Sequence, residues 1–257
     1  MPDFLETLAN DANETINEGY YNVAQNHPRV NIGFKESILR CEKNAIVAEI
    51  KIASPSRGII AHNIDVESVA LMMQRGGAVG LSVVTEPRHF RGRIEYFTIA
   101  RKCMLPRLMK DIIIDPIQTE AAAKLGAEAI LLIESLFEKR LCNASLEEMI
   151  NLAHRRRLEV LLETHTKEEF EKALSTEADL IGINNRDLSD FRTDLEVTRN
   201  ILDACDCKDH IVVSESGMDT GEHIRFLRKC GVRAFLVGSS IISSINPEEK
   251  VRELVEA

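Results

Sequence analysis

The sequence predicts an α/β fold, a (β/α)8 barrel with a helical N-terminal extension, and three observations carry that prediction. Eight short apolar runs recur roughly 20 to 35 residues apart. Helix start and stop signals fill the intervals between them. The 257 residues suit one barrel of the TIM type, and no Pro/Ser-rich linker divides them. The expected organisation is one barrel domain over 1–257, with 1–45 as its extension. A doubly wound sheet is the alternative, but it would want a GxGxxG turn near its start, and the chain has none.

In chain order, Leu5, Leu8, Ala12 and Ile16 fall at helical spacing, and 32–41 offers a second amphipathic turn or two. This stretch is too short to build its own core, so it is expected to pack against the main body. The runs follow at 45–50, 80–84, 108–114, 129–133, 159–163, 180–184, 211–215 and 234–238. Asp65 can cap a helix with Val66, Ala70 and Met73 on one stripe. Asp115-Pro116 opens the next helix and Gly126 ends it. Ser145 with Glu148, and Thr166 with Glu169, read as capping boxes. Thr220 opens a helix that stops at Gly231, and Asn246-Pro247 opens the last one. Gly77-Ala78, Gly126-Ala127 and Gly231-Val232 repeat one helix-to-strand junction.

Composition removes several classes of function. Hydrophobic residues make up 44% of the chain, enough for a sizeable core. A net charge of −9 argues against nucleic acid and membrane surfaces as partners. The basic cluster at His154–Arg157 suits a helix C-terminus. No apolar stretch reaches the ~18 residues of a membrane span, and the acidic N-terminus lacks a signal-peptide layout. The expected location is cytoplasmic. Six scattered cysteines are then expected to be reduced. Cys205, Cys207 and His210 lack a second ligand pair at zinc spacing, so no metal is expected. Of the histidines, His165 is the one placed to face a site, two residues after Glu163.

The active site of a barrel lies at the C-terminal ends of its strands. Those positions here are polar to a degree that packing does not explain. The first run, 45–50, ends with Glu49 and Lys51 on one side, and Ser54-Pro55-Ser56-Arg57-Gly58 follows, a loop able to hold an anion. The third run carries Lys110-Asp111, the fifth ends in Glu163, and the sixth gives Asn184, Asn185, Arg186 and Asp187. Glu215-Ser216-Gly217 and Gly238-Ser239-Ser240 end the last two. Individually, each has a bland reading: a surface ion pair, a loop brace at Asp187, a helix cap at Ser239. Six polar mouths out of eight point to an active site. Gly217, Gly238 and Ser239 stand where barrels commonly bind phosphate. Lys51 and Ser54 can close over the same anion or a neighbouring carboxylate. Lys110 and Glu163 are left as acid and base, groups whose pKa values a low-dielectric site can move toward neutrality.

Together these segments resemble the indole-3-glycerol phosphate synthase family. The residues that carry the resemblance are Ala48–Lys51 with Ala53–Ser56, Lys110-Asp111 with Ile114–Pro116, and Leu161–Glu163. Gly182–Leu188 (GINNRDL), Val213–Gly217 (VSESG) and Ala234–Ser239 complete the set. The resemblance runs in unbroken order from about Glu36 to the C-terminus. It implies a small phosphorylated substrate, 1-(2-carboxyphenylamino)-1-deoxyribulose 5-phosphate, and the products indole-3-glycerol phosphate, CO2 and water. It implies Lys110 as general acid, Glu163 as acid/base in the dehydration, and Lys51 as second acid or carboxylate clamp. Glu49, Asn184 and Glu215 should orient sugar hydroxyls and keep the lysines charged. Arg186 should bind an anion or position its neighbours. Ser216, Gly217, Gly238, Ser239 and Ser54 should hold the phosphate, with Phe90, Ile112, Leu131 and Leu188 around the aromatic ring. No cofactor is implied. The sequence leaves oligomeric state open, with a monomer expected.

The chain departs from the family pattern in places. Ile112 stands where the family usually has Phe, giving up ring stacking worth about 1 kcal/mol. Glu134, just beyond the fourth run, replaces a small or apolar residue. It is expected in solvent, the other reading being a change in the site's charge balance. The rival functions are another cofactor-free phosphosugar isomerase and a non-catalytic phosphate-binding barrel. Glu49/Lys51 and Asn184/Arg186 occupy the mouths where such an isomerase would want a Cys/Asp pair, and Lys51, Lys110 and Glu163 together speak against the second rival.

Overall fold

Eight parallel strands close into a barrel in the computed structural model of the chain, which describes residues 3–61, 64–207 and 209–257. The strands are Ala45–Ile50, Gly80–Val84, Arg107–Lys110, Ala129–Ile133, Glu159–Thr164, Leu180–Asn184, Val212–Glu215 and Ala234–Val237. Each pairs with the next, and the first closes on the eighth from Ala45↔Ala234 to Ala48↔Val237. A short hairpin, Ala53–Ser54 with Gly58–Ile59, rises from the loop after the first strand.

Strand alternation sorts the apolar residues into two clusters. Ile46, Ala48 and Ile50 pack outward with Met109, Leu132, Leu162 and Phe235 against the helices. Val47, Leu108, Leu131, Leu161, Val213 and Leu236 fill the barrel interior. The inward parity continues to the strand ends. There it delivers Glu49, Lys110, Glu163, Asn184, Glu215 and Gly238, so one alternation builds both the packed interior and its polar rim.

The expected caps form with one exception. Asp65 accepts from Ser68 N, Asp115 and Ser145 form reciprocal boxes with Gln118 and Glu148, and Asn246 caps the last helix. Gly77, Gly126 and Gly231 all take positive φ at the helix-to-strand junctions. Thr166 makes only half a box. Its hydroxyl accepts from Glu169 N, but the Glu169 carboxylate turns back to His165 N instead.

The third strand stops at Lys110 rather than continuing to Ile114. Side chains take over its backbone groups: Asp111 accepts from Ile112 N, while Gln118 accepts from Ile114 N and donates to the Ile112 carbonyl. These local bonds replace a ladder and turn Ile112 toward the barrel mouth.

The extension serves both ends of the barrel. Phe34–Leu39 lies under the strand N-termini, with Phe34 and Ile38 packed into the interior cluster and Lys35 N bonded to Glu159. Phe4–Asn17 lies at the opposite end, over the mouth. Between them, Val30 N donates to Glu128, which sits 3.8 Å from the fully buried Arg107 guanidinium. Arg107 also donates to the Phe97 and Gly126 carbonyls and lies over the Phe97 ring. Arg107→Leu therefore removes the cation beside buried Glu128 and the side-chain donor to two carbonyls, and should cost about 3 kcal/mol in urea unfolding. A cost under about 1 kcal/mol would show that Glu128 does not depend on it.

Candidate active site

A cavity of about 570 Å³ opens at the C-terminal ends of the strands. Every residue predicted for the site lines it: Glu49, Lys51, Ser54, Phe90, Lys110, Ile112, Leu131, Glu163, Asn184, Arg186, Leu188, Glu215, Ser216, Gly217, Gly238 and Ser239. Its size suits a small-molecule ligand.

At its centre, Lys110 Nζ lies 2.9 Å from Glu163 Oε2 and 2.9 Å from Glu215 Oε2. Both carboxylates are buried, and the lysine is half-buried. Asn184 Nδ2 donates to Glu163 Oε1 at 3.0 Å, leaving Oε2 to the ammonium. Across the mouth, Lys51 Nζ pairs with buried Glu49 at 2.5 Å, and Ser82 donates to the other Glu49 oxygen. Glycine makes room for two of these carboxylates. A Cβ at Gly182 would collide with Glu215 Oε1, and one at Gly238 would stand 2.6 Å from Glu49 Oε1.

Charge follows from this geometry. Burial works against the Lys110 ammonium, but Glu163, Glu215 and Glu49 more than offset it and hold the group protonated. Burial also opposes ionisation of Glu163, yet Lys110 and His165 keep its carboxyl well below the usual range. Glu215 goes the other way: burial and the Glu163 charge push it up to about 8. The two carboxyls beside this single ammonium thus differ in protonation tendency, Glu163 toward the ionised form and Glu215 toward the protonated one.

Arg186 does two things. Its backbone N–H donates to Asn184 Oδ1, fixing the amide that holds Glu163. Its guanidinium, half-buried and shifted down by burial, donates to the carbonyl of Phe191, a residue at φ 61°. Ser216 and Gly217 follow Glu215 with φ of 66° and 85°, a sharp turn at the rim.

The apolar side of the cavity holds Phe90, Ile112, Leu131, Ile133 and Leu188. Sequence reasoning missed Phe4, Leu5, Leu8 and Phe191, which also line it. The Phe4 ring meets Phe191 edge-on at 5.0 Å and His89 at 5.7 Å. The Leu5/Leu8 stripe marks a packed helix, but nothing in it says which end of the barrel that helix covers. His165, 3.3 Å from Glu163, stands behind the rim rather than in the cavity lining.

Glu134 is a correction. It is buried, not in solvent, and opens the helix Glu134–Glu138, where burial raises its pKa. It lies 4.0 Å from Lys172 and does not line the cavity, so it leaves the site's charge balance alone. The helix starts directly at the strand end, with no loop residue to carry the side chain outward.

Asp111 sits one residue past Lys110, on the other side of the chain. It accepts from Tyr21 and Thr85 hydroxyls and from Ile112 N, and burial raises it to about 7. Asp111, Glu215 and His165 (pushed up to about 10 by Glu163 and Glu169 against burial) all bind protons more tightly when folded. Raised folded values mean stability that is complete below the unfolded pKa and lost as pH climbs through the folded one. Between pH 6 and 9 the melting temperature should fall by at least about 5 °C. Glu163, shifted down, acts only in acid and does not oppose this trend. A flat melting temperature over that window would contradict the assignment.

Comparisons with known proteins point to one family. The model of the indole-3-glycerol phosphate synthase family matches residues 5–254. An indole-3-glycerol phosphate synthase of Desulforamulus reducens is 39% identical over 225 residues, 87% of this chain and 83% of that one. One from Methanocaldococcus jannaschii is 42% identical over 215 residues, 83% and 78%. Among solved structures, a thiamine phosphate pyrophosphorylase from Pyrococcus furiosus superposes with TM-score 0.61 at 19% identity, covering 84% of this chain and 95% of that one. The N-acetylmannosamine-6-phosphate 2-epimerase of Clostridium perfringens gives 0.60 at 13%, covering 85% and 93%. These two share the barrel alone.

Proposed function

The chain belongs to the indole-3-glycerol phosphate synthase family, and from that premise we propose how its cavity carries out ring closure. The protein is an enzyme, a carboxy-lyase of tryptophan biosynthesis. It converts 1-(2-carboxyphenylamino)-1-deoxyribulose 5-phosphate to indole-3-glycerol phosphate, CO2 and water.

The phosphate sits among Ser216, Gly217, Gly238 and Ser239, with Ser54 closing over it. The benzene ring enters the apolar side, between Phe90, Ile112, Leu131 and Leu188. Lys110 gives its proton to the ribulose carbonyl oxygen as the ring carbon bearing the carboxylate attacks the carbonyl carbon. The carbon–carboxylate bond then breaks, and its electron pair restores the aromatic ring as CO2 leaves. Lys51 clamps the carboxylate before that step. In the dehydration, Lys51 protonates the departing hydroxyl and Glu163 takes the proton from the neighbouring methylene. Glu49, Asn184 and Glu215 orient the sugar hydroxyls and keep the lysines charged. Arg186 holds Asn184 in place. The protonated carbonyl is itself the electron sink, so this chemistry asks for no cofactor.

What supports these roles is one ammonium, Lys110, shared at 2.9 Å by two buried carboxylates of opposite protonation tendency on the rim of a single cavity. A monomer suffices, since one chain supplies the whole rim, and the cytoplasm is its proposed setting. No helix among the described residues is long and apolar enough to cross a membrane. Expression in a tryptophan auxotroph lacking this step should restore growth. Failure despite soluble protein would count against the reading.

A further inference from the structure

His165 is a largely enclosed imidazole between two carboxylates that the chemistry above leaves unused. The fifth strand ends at Thr164, whose hydroxyl donates to the Gly182 carbonyl on the outward side. His165 follows on the side of Glu163 and is caught between two carboxylates. Its Nε2 lies 3.3 Å from Glu163 Oε1, and its Nδ1 lies 3.6 Å from Glu169 Oε2. Only 11% of its side chain is exposed, and neither ring nitrogen has an aligned hydrogen bond. The ring is held by charge on both sides rather than by one directed bond.

We propose that His165 is a positioning residue for Glu163, an imidazolium that pins Oε1 together with Asn184 and so leaves Oε2 as the oxygen that moves protons. Oε1 is spoken for twice, by Asn184 at 3.0 Å and by His165 at 3.3 Å. Oε2 accepts from the Lys110 ammonium at 2.9 Å. A carboxylate with one anchored oxygen cannot rotate away from the substrate when Lys110 gives up its proton. The cation behind it also keeps Glu163 ionised at the moment Lys110 becomes neutral, when the front of the carboxylate has lost its partner.

The charged groups around the ring fit this role. Glu163 faces it from the strand, Glu169 from the helix Lys167–Ala173, and Asp187 from the loop after the sixth strand. Behind Glu163 stand Lys110 and Glu215, and behind Glu169 stand Lys172 and Glu134. Burial disfavours the imidazolium, but Glu163 and Glu169 together raise it to about 10, so the ring is charged throughout the neutral range. The Glu169 carboxylate beside the ring also accepts from His165 N, so it does not complete the capping box.

This inference rests on the ring-closure reading, and its test separates the two. In His165→Gln, kcat should fall about tenfold with KM within about twofold. The acidic limb of the rate profile should move up by about one pH unit, because Glu163 loses a neighbouring cation. A role confined to bracing the turn would lower activity equally at every pH, and an unmoved limb overturns the proposal. Nitrogen NMR of the wild-type imidazole gives a second readout that needs no folded variant. Both ring nitrogens of His165 should stay protonated up to about pH 8.5, and a neutral ring at pH 7 also overturns it. A wild-type protein that fails to close the ring sinks the functional reading, whereas ring closure with a neutral His165 sinks only this inference.

Discussion

Replacing Lys110 by alanine should abolish turnover while leaving the affinity for a phosphate ligand within about tenfold. Lys110 Nζ is the group shared by Glu163 and Glu215, and it faces the cavity where the ribulose carbonyl is proposed to lie. Without it the carbonyl oxygen has no proton to accept, and the attacking ring gains nothing from the polarised bond. The phosphate residues come from the seventh and eighth strands and the loop after the first, so binding there survives. Isothermal titration with a phosphate ligand, beside an indole-fluorescence assay, reads the two effects separately. A variant retaining a tenth of wild-type activity would show that the acid is another group.

Glu163→Gln should cost roughly 10²-fold or more in rate. The substitution keeps shape and an acceptor for Asn184, and Lys110 keeps Glu215 as its partner. What disappears is the ionised oxygen that takes the methylene proton. Because the amide keeps the side chain's size and its acceptor toward Asn184, the loss should fall on kcat far more than on KM. Single-turnover kinetics should show the dehydration slowed and CO2 release spared. A neutral outcome would move the base to Glu49 or Glu215.

Much of the site was legible because strand alternation is a rule of period two. Once the runs are placed, the positions of Glu49, Lys110, Glu163, Asn184 and Glu215 at the inward ends follow from counting residues. The caps at Asp65, Asp115, Ser145 and Asn246 were legible for a similar reason, each needing only three or four neighbouring residues. What failed was set by competition among groups close in sequence, or by where an element lies in the fold. The end of the third strand depends on Gln118, four residues beyond the apolar run it terminates. Glu134 is buried because its helix begins without a loop. Glu169 leaves the Thr166 cap because His165 competes for it. The first helix could be recognised as amphipathic, yet only the fold shows that Phe4, Leu5 and Leu8 roof the cavity. That roof bears on the departure at Ile112. Phe4 and Phe191 bring ring surfaces to the cavity from elements far from the position where the family usually places one.

One rim, joining Lys51, Lys110 and Glu163 around an apolar slot, is proposed to close an indole ring. Incubating the purified wild-type protein with 1-(2-carboxyphenylamino)-1-deoxyribulose 5-phosphate tests it directly. Indole fluorescence and CO2 should rise together, one for one, in buffer without added cofactor. Substrate left intact, or CO2 released with no indole formed, would contradict it.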